Sequence, residues 1–160
     1  MKQLGELKVA DYMTEQAIVI ADTKKLTSAI GLMDGSRFSA LPVVDEQNQV
    51  IGLLSSSDLI GLTHELQSDI GSLHMVNQST REFLIHMLME QGDCTIVRDV
   101  MTQPVETIKA TANLVVAAKI LTERQFHHLP VVDELDKPVG IISTADFVRA
   151  IADYGALLAG

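Results

Sequence analysis

Residues 9–60 align with residues 97–148 without a gap when the chain is slid on itself by 88 positions, and 18 of those 52 pairs are identical. The block LPVVDE at 41–46 returns whole at 129–134, and Asp58 and Asp146 each close a copy three residues after a serine. A tandem duplication constrains the fold more than any local propensity, because both copies must adopt the same supersecondary unit.

Each copy reads in one order. A short apolar segment (AIVIA at 17–21, VETIKA at 105–110) precedes a helical stretch, TKKLTSAIGLMDGS or TANLVVAAKILTERQ. Leu114, Ala117, Ala118 and Leu121 recur at i, i+3, i+4 and i+7, which places them on one buried helix face. LPVV, bounded by Pro and Asp, reads as a buried strand. The polar DEQNQ and DELDKP turn the chain, and QVIGLLS or VGIIS returns as the second strand of a hairpin. Ser55 or Ser143 then opens a helix that carries the aspartate. The expected fold is α+β, as strand–helix–strand–strand–helix repeated twice.

The expected divisions are a first repeat over 1–66, a helical connection over 67–95 and a second repeat over 96–160. In the connection, Ser79-Thr80-Arg81-Glu82 has the form of a capping box before FLIHMLMEQG, with Gly92 as a stop. This predicts an apolar helix over 80–91, while 59–78 continues the preceding helix and breaks near Gly71. Phe83, Leu84, Ile85, Met87, Leu88 and Met89 make the predicted 80–91 helix apolar around most of its circumference. It suits association into a homodimer.

Composition narrows the function. Twelve basic against 21 acidic residues give a net charge of −9, which argues against nucleic acid as a partner. No run of about 18 uncharged apolar residues occurs, and the start carries no apolar leader, so neither a membrane span nor secretion is expected. The single Cys94 fits a reducing cytoplasm. No nucleophile elbow, zinc-protease motif or phosphate-loop lysine is present, so no catalytic residue is expected. His64, His74 and His86 lack metal-ligand spacing, so no metal is expected.

The carrying motifs are DYMT and DVMT at the head of each copy, LPVVD twice, and GLLSSSD and GIISTAD at the ends. Together they resemble a tandem pair of CBS domains, the cystathionine β-synthase type of regulatory repeat. The resemblance implies two copies packed with approximate two-fold symmetry. It also implies clefts for an adenosine-containing ligand: AMP, ADP, ATP or S-adenosylmethionine. Asp58 and Asp146 would accept hydrogen bonds from the ribose hydroxyls, with Ser55, Ser57 and Ser143 at ribose or phosphate. His127 and His128 in one copy, and Ser39 and Ala40 in the other, would stand at the phosphate end. Thr14, Ala17, Thr102 and Val105 would line the adenine. No cofactor is required, and the chain would regulate an unknown partner protein.

The residues agree with that expectation in their own chemistry. A serine at a helix start offers a hydroxyl and backbone N–H groups to an anion. An aspartate one turn on shares its face, and an ionised carboxylate is acceptor-only, suited to a vicinal diol. The plainer reading is a pair of ordinary helix caps with Asp favoured at the third position. The competing function is a structural interaction protein with empty clefts.

Overall fold

The computed structural model describes residues 4–36, 38–68 and 94–159. The predicted 80–91 helix, the capping box and the break near Gly71 lie outside them. Among the described residues the strands are β1 (Thr14–Glu15), β2 (Ile20–Ala21), β3 (Ala40–Val44), β4 (Val50–Ser55), β5 (Ile108–Lys109), β6 (His128–Val132) and β7 (Pro138–Ser143). The helices are α1 (Leu26–Ser36), α2 (Ser56–Ser68), α3 (Leu114–Arg124) and α4 (Thr144–Ala159). The predicted order of elements is present in both copies. Each helix of the S-x-x-D motif begins one residue later than expected, because Ser55 and Ser143 end their strands.

The chain divides into two compact units. The first takes residues 1–18, 47–50 and 105–160; the second takes 19–46 and 51–104. Each unit therefore combines the strands and helices of one copy with the D-x-M-T segment that heads the other.

In the first unit the sheet order is β1-β7-β6-β5. β5 runs parallel to β6, as a crossover through α3 requires, and β6 and β7 form the antiparallel hairpin. β1 adds to the far edge, with Thr14 opposite Ile141 and Glu15 opposite Gly140. The core is Val9, Ile108, Leu114, Ala117, Leu121, Leu129, Val131, Ile142 and neighbours. Three of these, Leu114, Ala117 and Leu121, belong to the predicted helix face, whose fourth member, Ala118, is half-buried. Asn113 caps α3 by accepting from the Val115 N–H at 2.8 Å. Gln125 ends it in the left-handed region at φ 56°.

In the second unit β2 lies parallel to β3, and the order is β2-β3-β4. Leu26, Ile30 and Met33 of α1 are buried, as are Leu41, Val43, Leu54 and Val97. β3 is buried at all five positions, which is why it reads as a continuous apolar run rather than an alternation. The hairpin loops turn at Asn48 and Asp136, equivalent positions with φ 60° and 59°, a conformation Asn and Asp tolerate best after glycine.

The D-x-M-T segments dock by one device in both units. Asp11 accepts the Lys8 N–H at 2.8 Å, and Asp99 accepts the Ile96 N–H at 3.5 Å, each across a single 3-10 turn. Met13 then packs on Gly140 and Met101 on Gly52. A Cβ at Gly140 would lie 3.0 Å from the Met13 sulfur, and one at Gly52 would lie 2.4 Å from the Met101 sulfur. The glycine of G-x-x-S-x-x-D is thus the seat for the methionine of D-x-M-T.

Candidate functional site

Asp146 stands in the first turn of α4 and is 8% exposed. Its Oδ2 accepts the Ser143 N–H at 2.7 Å and the Ser143 hydroxyl at 2.8 Å. Asp58 repeats this in the second unit, with Oδ2 accepting the Ser55 N–H at 2.7 Å and its hydroxyl at 2.6 Å. The plain cap reading is therefore half realised. The aspartate reaches back to the residue before the helix, as the acidic member of a capping box does. The serine hydroxyl donates to the carboxylate instead of capping the helix. The expected anion seat is reduced further, because the Ser56 N–H donates to the Ser39 carbonyl at 2.9 Å and the Thr144 N–H to that of His127 at 3.0 Å.

With Oδ2 committed locally, Oδ1 is the oxygen left to address a ligand, and here the copies differ. In the second unit Asp58 Oδ1 accepts the Thr102 hydroxyl at 2.7 Å. Thr102 is brought there by its bridge to Leu53, with N–H donations of 2.9 and 3.1 Å in the two directions. In the first unit Asp146 Oδ1 accepts from Nη2 of Arg149 at 3.1 Å. The same nitrogen donates to the Tyr12 carbonyl, and the guanidinium lies over the Tyr12 ring at 5.9 Å.

His128 is paired with Ser143 across the β6–β7 hairpin, so the predicted His127, His128, Ser143 and Asp146 gather at one end of the first unit's sheet. Burial and the neighbouring charge of His127 hold the His128 imidazole below its usual range, and Asp146 pulls the other way. His128 therefore takes up a proton at lower pH than an exposed histidine would. Thr14 is exposed on β1 and Ala17 is half-buried just beyond it. In the second unit Ser39 lies beside Ser56, and Ser57 is exposed in the first turn of α2. Ala40 is 5% exposed, among the buried apolar residues of the second unit. Val105 is half-buried and belongs to the first unit, whereas Thr102 belongs to the second.

Sequence reasoning missed two groups. Arg149 follows Asp146 by three residues, a spacing that puts both on one helix face. Asp22, 2% exposed, is bound by the Nε of Arg98 at 2.7 Å and by its Nη2. Arg98 is thus the partner of a buried carboxylate. In the same unit an open cavity of about 430 Å³ is lined by Val19, Ile20, Ala21, Lys24, Ser28, Gly31 and Leu32. Among the described residues no cluster of His, Cys, Asp or Glu could hold a metal ion. No described helix is long and apolar enough to cross a membrane.

The CBS domain matches this chain twice, over residues 9–65 and 97–153. The chain belongs to the CBS domain family. Its CBS pair is 32% identical to the CBS domain-containing protein CBSX1, chloroplastic, of Arabidopsis thaliana, over 91% of this chain and 64% of that protein. The chain thus spans under two thirds of the length of that curated relative. The crystal structure of CBSX2 in complex with AMP is 28% identical, with a TM-score of 0.69, covering 92% of this chain and 98% of that one. The CBS domain pair of MJ0100, in complex with 5′-methylthioadenosine and S-adenosyl-L-methionine, has the same fold. It gives a TM-score of 0.68 at 19% identity, covering 92% of this chain and 98% of that one.

Proposed function

We propose that this CBS pair is a non-catalytic regulatory module that binds an adenosine-containing ligand, with AMP the leading candidate, through Asp58 and Asp146. The observation that carries the reading is the shared treatment of the two carboxylates. In both copies Ser N–H and Ser Oγ–H fix Oδ2, which orients the group and leaves Oδ1 for exchangeable donors. Ribose presents two adjacent hydroxyl donors, the chemistry such an acceptor takes. The AMP bound to CBSX2, a relative of matching fold, supports the choice of nucleoside.

Occupancy would alter contacts with a separate, cytoplasmic partner protein, and the module would act as a homodimer. Val148 and Ile151 are 68% and 64% exposed on α4, an apolar stripe suited to such association. The same stripe favours the second reading, an interaction protein that works without ligand.

Titration separates the two. AMP at about a hundred times Kd should raise unfolding free energy by about 2.7 kcal/mol. The Asp58→Ala, Asp146→Ala double variant should keep its fold by circular dichroism and lose that gain. A wild-type protein whose melting is indifferent to AMP, ADP, ATP and S-adenosylmethionine would leave the interaction reading standing.

A further inference from the structure

Position 149 separates the two aspartate sites more sharply than any other residue. Arg149 brings a cation to Asp146 Oδ1, and its counterpart 88 residues earlier is Gly61. The carboxylate of the first-copy site meets a neutral hydroxyl from Thr102 at the same oxygen. The sites therefore differ by about one unit of positive charge within hydrogen-bonding distance of the ligand-facing oxygen. Beyond it, His127-His128 replaces Ser39-Ala40.

We infer that Arg149 is a specificity-determining residue that fits the second-copy site to phosphorylated adenosine ligands, whereas Gly61 leaves the first-copy site to uncharged or cationic ones. The inference rests on the adenosine-binding reading above. An anionic phosphate brought beside a bare carboxylate is repelled, and a guanidinium on that carboxylate removes the repulsion. Arg149 can also contribute directly. Both of its hydrogen bonds use Nη2, so among the described residues the other donors of the fork stay available to a phosphate oxygen. The side chain is 56% exposed, which leaves it room to turn without dismantling the core.

The test isolates each site in the full chain, with Asp58→Ala to leave the second and Asp146→Ala to leave the first. Each is titrated with AMP and with adenosine, whose difference is the phosphate. In the Asp58→Ala chain, Arg149→Gln should cut the preference for AMP over adenosine by about tenfold, the size of one charge-assisted contact. Arg149→Lys should retain most of it, and added salt should erode the preference in the arginine protein but not in the glutamine variant. In the Asp146→Ala chain, Gly61→Arg should raise the AMP preference. A Cβ at position 61 meets nothing within 4 Å, so the substitution does not collide with its surroundings at that atom. A preference unchanged by either substitution overturns the inference. So does an equal loss of AMP and adenosine on Arg149→Gln, which would make the arginine only a support for Asp146. If neither isolated site nor the wild type binds either ligand, the adenosine reading fails and takes this inference with it.

Discussion

Ala10 and Ala110 in the first unit stand where Arg98 and Asp22 stand in the second. Around them the backbone is duplicated bond for bond. The Ala10 N–H donates to the Ala110 carbonyl at 2.9 Å, and the Arg98 N–H to that of Asp22 at 2.9 Å. Val9 donates to Ala112 at 3.0 Å as Val97 does to Lys24 at 2.9 Å; Leu114 donates to Leu7 at 2.8 Å as Leu26 does to Thr95 at 2.9 Å. The duplicated frame is thus a main-chain object, insensitive to which side chains it carries. One unit carries two methyl groups at these positions and the other an ion pair.

The ion pair is where the comparison should break most visibly. Stripping the partner from a buried carboxylate costs about 3–5 kcal/mol; with Arg98 54% exposed, Arg98→Ala should cost about 2–3 kcal/mol. The double variant Arg98→Ala, Asp22→Ala recreates the first unit's joint and should recover most of that loss. Urea unfolding of both singles and the double gives the coupling. Additive losses would mean that the methyl solution works only in its own unit.

The methionine seats come next. An alanine Cβ at Gly140 would sit 2.6 Å from the Thr14 carbonyl oxygen, a main-chain atom of β1 that moves only if the strand does. At Gly52 the conflict is with the Met101 thioether, which can change rotamer. Gly140→Ala should therefore cost about 3 kcal/mol and Gly52→Ala about 1 kcal/mol, both within the overpacking range. Equal costs in urea unfolding would show that the two seats are equally stiff.

These differences mark how far the sequence could be read. Both hairpins, both crossover helices and the core face of α3 were legible, because apolar periodicity and Pro, Gly and Asp punctuation report burial directly. β1 was not. Thr14 and Glu15 are both exposed, and two residues carry no alternation to detect. The exchange of D-x-M-T segments between units was illegible for a different reason. Two similar copies offer each segment two similar docking sites, and repeat similarity cannot say which it takes. The serine and aspartate of each site were legible from spacing, but not the bond that joins them. Arg149 was not legible because it lies just past the shared motif, with Gly61 in its place in the other copy, and spacing alone does not say that its guanidinium turns back to Asp146.

The smallest expected effect concerns His128, whose first-copy counterpart, Ala40, cannot titrate. Desolvation by burial and the adjacent His127 lower the His128 pKa, against the pull of Asp146. A base whose folded pKa lies below its unfolded value binds its proton first in the unfolded chain. Its contribution to stability is therefore intact above the unfolded value, near 6.5, and declines as pH falls below that value. Between roughly pH 8 and pH 5.5 the urea midpoint of the wild type should drift downward. His128→Gln should flatten part of that drift, and Ala40→His should leave its own unit's pH profile dependent on whatever burial the new imidazole meets. A wild-type midpoint that rises on acidification, with His128→Gln abolishing the rise, would reverse the sign and mean that Asp146 governs the imidazole more strongly than burial does.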